Sequence, residues 1–167
     1  MIRIPHSLIN WKGDVDMKHW KHPVLKTVGW VVCCLFLVLP SWSLASEAKD
    51  RVKQIVKEAR ESVHEISAME LKEMMDAGQS FTLIDVREPG EYTAGRIKKS
   101  VLIPRGVLEW VLPSKFKNSE TPIVFYCEVG ARSALTAKLS KELGYKNVKN
   151  LRGGIREWKK EGFQIVK

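Results

Sequence analysis

From residue 65 onward, short apolar runs alternate with stretches in which apolar residues recur every three or four positions. The runs Phe81–Ile84, Val101–Ile103 and Pro122–Tyr126, the last rich in β-branched and aromatic residues, predict strands, and Asn147–Leu151 predicts another short one. The first ends at Asp85, and the second is closed by Pro104. Pro122–Tyr126 is apolar throughout, so it is expected at the centre of a sheet covered on both faces. The helical signals lie between these runs. Ser67-Ala-Met-Glu70 is a capping box that predicts a helix through about Asp76, with Gly78 as its stop. After the break at Pro89-Gly90, residues Glu91–Ala94 allow one helical turn at most. Gly106–Leu112 predicts a short helix ended by Pro113. Ser133–Leu143 carries Ala134, Leu135, Ala137 and Leu139 in register before Gly144. Ile155–Glu161 follows a turn at Gly153-Gly154 and turns Trp158 inward. Strands and helices in alternation imply an α/β domain with a mostly parallel sheet and helices on both faces. Ligands of such sheets sit beyond the carboxyl ends of the strands.

Ahead of this domain the pattern changes twice. Ser46–Val63 is highly charged, with Val52, Ile55, Val56, Ala59 and Val63 at helical spacing, which predicts an amphipathic helix. Such a helix either packs on its own domain or leads loosely to it, with docking to a partner as the alternative. Val28–Leu39 is a short, largely apolar run preceded by Lys18, Lys21 and Lys26 and followed by Ser43-Leu44-Ala45. A basic flank, a short apolar core and a small-x-small end describe a secretory signal peptide cleaved between Ala45 and Ser46. A spanning helix needs about 20 apolar residues, so an uncleaved anchor at residues 28–39 is the alternative. Asp14 and Asp16 sit oddly in a basic leader, whereas a start at Met17 gives MKHWKHPVLK. Residues 1–16 therefore read as an extension of the gene model. The expected organisation is a leader over 1–45, a charged amphipathic helical linker over 46–64 and the α/β domain over 65–167. The expected destination is the bacterial periplasm, or the inner membrane if the leader stays attached.

Charge and cysteine usage narrow the function. The chain carries 28 Lys+Arg against 19 Asp+Glu, a net charge of +9, but the excess is scattered, with no basic stripe interleaved with aromatics. This speaks against a nucleic-acid partner and for a soluble surface that favours small anions. Cys33 and Cys34 lie within the leader, so cleavage would leave Cys127 as a lone thiol in an oxidising compartment. No cysteine spacing suggests zinc, and His64 lies away from every motif, so neither a metal nor a cofactor is expected.

Cys127 follows the central strand and precedes a helix. The segment Cys127-Glu128-Val129-Gly130-Ala131-Arg132-Ser133 has the make-up of a curled loop. Gly130 permits a turn in which successive N–H groups converge on one point, a helix near Ser133 adds its positive end, and Arg132 adds a full charge. All three favour a thiolate; a free thiol with pKa about 8.5 is only about 3% ionised at pH 7, and lowering the value to about 7 raises this to about half. Polar neighbours such as Glu128 and Arg132 do not suggest a buried setting, so the sulfur is expected to be reachable rather than a small core residue.

With these elements in place, residues from about Glu65 to Lys167 resemble a single-domain rhodanese, a family of sulfurtransferases. The resemblance rests on Leu83-Ile-Asp-Val-Arg87-Glu88, Glu91-Tyr92, Gly95, Ile103-Pro104, the Cys127–Ser133 loop, and Gly153-Gly154-Ile155 with Trp158 and Gly162. It implies a rhodanese-like fold of about five parallel strands flanked by helices. It also implies a double displacement in which Cys127 takes a sulfane sulfur from thiosulfate or a persulfide and passes it to cyanide or a thiol. Residues Glu128–Ser133 would form the substrate-binding loop, with the whole acting as a monomer or weak dimer. Asp85 and Arg87 match a D-x-R pattern, either bracing that loop as an ion pair or forming a plain surface bridge.

Loop length separates two chemistries built on this fold. Phosphatases use C-x5-R, wide enough for a tetrahedral phosphate, whereas four residues separate Cys127 from Arg132 and suit a sulfur atom better. The chain departs from the family at Arg96, where His is usual, and at Lys98-Lys99, where Pro-Gly is usual. Glu128 stands where strong thiosulfate users often carry a basic residue. An acidic group there disfavours a dianionic donor by about 1 kcal/mol when solvated and shifts the expectation toward a persulfide or polysulfide. The alternative reading is a non-catalytic or sulfur-carrier module that works with a partner protein.

Overall fold

The computed structural model describes residues 42–167, with side chains from Ser46 onward. Residues 1–41 of the expected leader, with its apolar run at Val28–Leu39 and the proposed start at Met17, lie outside the described residues. Among the described residues, no helix is long and apolar enough to cross a membrane.

Helix α1 spans Trp42–Ser62, so it passes through the expected junction at Ala45 and Ser46. No glycine or proline interrupts the chain from Trp42 to Ala77, and Lys53–Asp50 and Lys57–Glu61 pairs line the exposed surface of the helix. Its apolar stripe is covered only at the carboxyl end. Ala59 and the following Val63 are buried, while Val52 is 60% exposed and Ile55 40%. Lys141 Nζ donates to the Ser62 carbonyl at 2.7 Å and fastens this end to the domain.

The remaining chain forms β1 (His64–Ile66), α2 (Ala68–Asp76), β2 (Thr82–Asp85), α3 (Pro89–Ala94), β3 (Arg96–Ile97) and β4 (Val101–Leu102). These are followed by a 3-10 turn at Arg105–Val107, α4 (Leu108–Lys115), β5 (Ile123–Tyr126), α5 (Ala131–Glu142), β6 (Val148–Leu151), α6 (Gly154–Lys160) and β7 (Ile165–Val166). Strands β1, β6, β5, β2 and β4 lie in that order in one five-stranded sheet, every pair parallel. The fold is α/β with helices flanking this sheet, as the sequence pattern and the resemblance both implied. Alternation along β5 divides the core into two halves. Ile123 and Phe125 pack with Val63, Ile84, Leu108, Leu112 and Ala137, while Val124 and Tyr126 pack with Ile66, Leu71, Leu83, Leu151 and Trp158.

The capping box forms as expected: the Ser67 hydroxyl accepts from the Glu70 amide at 3.1 Å, and the Glu70 carboxylate accepts from the Ser67 amide at 2.7 Å. Other features differ from the sequence pattern. The periodicity missed β1, a three-residue edge strand that begins with two polar residues, and the two-residue antiparallel pair β3–β7. The helix expected over Gly106–Leu112 instead starts at Leu108 and runs to Lys115 with Pro113 inside it. Proline removes one hydrogen bond there, to the Glu109 carbonyl, and both residues are exposed, where an unpaired carbonyl costs little. Helix α5 begins at Ala131, two residues before the expected Ser133, which brings its amino end nearer Cys127.

Candidate active site

Register places the site. Asp85 pairs with Tyr126 and Phe125 with Asn150, so Cys127 leaves the carboxyl end of β5 between Val86-Arg87 on one side and Leu151-Arg152 on the other. A separate cleft lined by His64, Phe81, Pro122 and Asn147 lies at the amino ends of the strands, opposite Cys127, and contains no cysteine.

The loop after Cys127 is held by its carbonyls. The Cys127 and Glu128 carbonyls accept from the amides of Ile155 at 2.8 Å and Arg156 at 3.1 Å, both at the start of α6. The Val129 carbonyl accepts from Arg60 Nη2 at 3.1 Å. The Gly130 carbonyl accepts from Asn150 Nδ2 at 3.1 Å and from the Ala134 amide at 3.2 Å. In a trans peptide the N–H points away from its own C=O, so four carbonyls pinned outward aim their partner amides inward. Gly130, with φ of 82°, turns the chain so that its amide donates to Cys127 Sγ at 3.2 Å. The Ser133 hydroxyl approaches the same sulfur at 3.5 Å. Among the described residues the Glu128 and Val129 amides donate to no protein group, which leaves them for a second sulfur atom or a substrate.

One expectation fails here. Cys127 is fully buried, 0% exposed, and packs with Val86, Ile103 and Ala137. The polar residues next to it in sequence do not set its exposure. Burial comes from side chains contributed by other elements, which the local sequence does not display. On the rim of the loop Glu128, Val129, Ala131 and Arg132 are half-buried.

Arg132 does not present a free charge. It makes a double hydrogen bond to Glu91, at 2.8 and 2.7 Å, from the side opposite α6. The bond from Arg132 holds the Glu91 carboxyl down at about 2, against the cost of partial burial, so this pair is intact at any pH near neutrality. The Arg132 guanidinium is held charged mainly by its hydrogen bonds to Glu91, with a smaller contribution from the nearby Cys127 sulfur.

Asp85 and Arg87 form a buried pair. Arg87 Nη2 and Nε donate to the Asp85 carboxylate at 2.7 and 3.0 Å, and Nη2 also donates to the Gly95 carbonyl at 2.8 Å. The other end of the guanidinium, Nη1, stands 3.6 Å from the Glu128 carboxylate, so the pair reaches the first residue of the loop. Burial opposes the charge on Arg87, but the bonds from Asp85 and the nearby Glu128 outweigh it and raise its pKa. Replacing Arg87 by methionine would leave Asp85 buried without its cation. We expect Arg87→Met to lower unfolding stability by about 3–5 kcal/mol in urea titrations. The double variant with Asp85→Asn should recover part of the loss; a single-variant loss below about 1 kcal/mol would show that the pair does not hold this edge of the site.

Sequence motifs assign no role at the loop to four contributors. Arg60 and Glu65 lie before residues 67–161, Asn150 is one polar residue within a strand, and Glu91 stands in a motif that implies no partner. Arg60 and Glu65 approach each other at 3.8 Å, and Glu65 accepts from Asn150 Nδ2 at 2.6 Å, so these three join α1, β1 and β6 at the loop.

A cysteine cradled by loop amides at the carboxyl end of the central strand of a parallel sheet defines a class of sulfur- or phosphate-handling domains. Residues 67–161 match the model of the rhodanese-like domain, and the chain belongs to that family. It is 32% identical over 108 residues to a sulfurtransferase of Allochromatium vinosum, covering 62% of this chain and 95% of that protein. It is 36% identical over 97 residues to a Bacillus subtilis protein bearing a sulfur-carrier name, covering 58% of this chain and about half, 51%, of that one. Among solved structures, the polysulfide-sulfur transferase homodimer of Wolinella succinogenes superposes with a TM-score of 0.58 at 29% identity, covering 75% of this chain and 90% of that one. A Rhodopseudomonas palustris protein described as a possible tyrosine phosphatase superposes with a TM-score of 0.64 at 31% identity, covering 69% and 93%. The domain is a sulfurtransferase domain, and its relatives imply sulfur donors and thiol acceptors in general.

Proposed function

We propose that Cys127 carries the sulfur as a persulfide and that the preferred donor is a persulfide or polysulfide rather than thiosulfate. In the first step the Cys127 thiolate attacks the outer sulfur of the donor, forming a Cys127 S–S bond as the donor's own S–S bond breaks and its remaining sulfur leaves as an anion. In the second step a thiolate or cyanide attacks the terminal sulfur, and the Cys127 thiolate leaves. Neither displacement needs a proton donor at the reacting atoms. The four-residue spacing from Cys127 to Arg132 supports this over phosphate chemistry, as does the pairing of Arg132 with Glu91.

The observation that carries the donor preference is the charge beside the loop. Glu128 follows the nucleophile, its side chain 41% exposed, and its nearest cation, Arg87, already donates hydrogen bonds to the Asp85 carboxylate. Around the loop three cations, Arg60, Arg87 and Arg132, face four carboxylates, Glu65, Asp85, Glu91 and Glu128, so a dianion gains no net attraction. The test is mass spectrometry of the chain after incubation with thiosulfate or glutathione persulfide. A gain of one sulfur on the peptide containing Cys127, faster from the persulfide, is the expected result. A sulfur gained elsewhere sinks the assignment of the residue, and faster loading by thiosulfate sinks the donor preference.

Glu128→Lys removes one charge and adds its opposite. It should lower the Michaelis constant for thiosulfate about thirtyfold, with about 1 kcal/mol from each of the two changes at the solvent edge. A neutral trisulfide donor should respond less than about twofold. An unchanged constant for thiosulfate would show that the side chain points away from the incoming donor.

The sulfur-carrier reading is favoured by one observation, the complete burial of the sulfur, which suits release to a macromolecular partner that opens the rim. Stable loading with negligible turnover on small acceptors would select it. Export to the periplasm, with residues 28–39 as an inner-membrane anchor if uncleaved, is part of the same proposal. It rests on the leader pattern, and sequencing of the mature amino terminus tests it.

A further inference from the structure

We propose that Arg60 tunes the Cys127 sulfur through the Val129–Gly130 peptide, which makes the carboxyl end of α1 a working part of the site. This rests on the reading of Cys127 as the sulfur acceptor. Both ends of one peptide group are engaged: its carbonyl accepts from Arg60 Nη2 at 3.1 Å, and its N–H donates to Cys127 Sγ at 3.2 Å. A peptide group is a single conjugated unit, so a cation bonded to the oxygen draws electron density from the nitrogen and makes the N–H a stronger donor. A bond from a charged donor does this more than one from a neutral group. The result is a sulfur that holds negative charge more readily, as a thiolate before loading and as a persulfide after it.

Arg60 is placed for this by the fold rather than by chance contact. Ala59 and Val63 are buried on either side of it, Lys141 holds the helix end at the Ser62 carbonyl, and Glu65 stands 3.8 Å from the guanidinium. The second arm of the same network, from Glu65 through Asn150, reaches the next carbonyl of the loop, Gly130. Helix α1 lies before residues 67–161, so the family pattern does not supply Arg60. Arg60 is a positioning and polarising residue and does not touch the reacting sulfur.

The test is the pH dependence of sulfur loading on Cys127 in the full chain, read by mass spectrometry of its peptide. Thiosulfate is the probe, since its charge is constant across the range. Arg60→Met should raise the midpoint by about half a unit and lower the rate below the midpoint about threefold. Arg60→Lys, which keeps the charge, should recover most of that shift. Lys57→Met, an exposed change on the same helix, should leave the midpoint in place. If Arg60→Met fails to fold, Arg60→Gln provides the same comparison. An unchanged midpoint, even with a slower rate at every pH, overturns the relay. A wild-type chain that takes up no sulfur on Cys127 from either thiosulfate or glutathione persulfide overturns the assignment beneath it, and the relay with it. Wild type that loads normally while the variant keeps its midpoint overturns the relay alone.

Discussion

Cys127→Ser should abolish sulfur transfer, by at least about a thousandfold, while leaving the fold intact. Losses of this order follow removal of a residue that forms a covalent intermediate, because no remaining group carries the reaction through the same steps. Serine has nearly the same shape, and its hydroxyl can keep both donors at the site, the Gly130 amide and the Ser133 hydroxyl. Burying that hydroxyl in place of the thiol costs little when it is hydrogen-bonded, so stability should change by no more than about 1 kcal/mol. Three measurements check this together: steady-state transfer, sulfur uptake by mass, and urea unfolding. A serine variant that kept a tenth of the activity would place the nucleophile elsewhere. Loss of stability equal to the loss of activity would reduce Cys127 to a core residue.

Gly154→Ala should be the most damaging single methyl group in the domain. A Cβ at Gly154 would lie 2.3 Å from the Cys127 carbonyl oxygen and 2.7 Å from the Glu128 carbonyl, and its φ of 60° is already unfavourable for alanine. All three atoms belong to the backbone of the active loop, so no side chain can swing aside to relieve the contact. Either α6 withdraws or the loop shifts, and both break the bonds from Ile155 and Arg156 that pin the loop carbonyls. Stability should fall by about 3–5 kcal/mol, and sulfur loading by about a hundredfold at temperatures where the variant stays folded. Gly90→Ala is the matched comparison, since a Cβ there meets nothing within 4 Å. Its effect should stay within about 1 kcal/mol. A Gly154 variant as active as Gly90→Ala would mean that α6 does not hold the loop in working shape.

Much of the domain was legible along the chain because its signals are local. Apolar runs with β-branched residues mark β2 and β5; the Ser67–Glu70 box marks the start of α2; Gly130 marks the turn after Cys127. Each depends on residues within a few positions of one another. The short elements were less visible. Strand β1 has a single buried residue, Ile66, and Pro113 looked like a stop because a two-turn helix with a solvent-facing break is hard to tell from a loop.

Along the chain, residue types settled the α/β class, the central place of β5 and the identity of the candidate nucleophile. Only the folded chain decided how that sulfur is held. Its burial, the neutralising of Arg132 by Glu91 41 positions away, and the reach of Arg60 to a carbonyl 69 positions on all depend on parallel strands set side by side. Periodicity and turn chemistry act over one or two turns of backbone, whereas charge pairing and exposure are properties of neighbours in space, and those neighbours are chosen by the sheet.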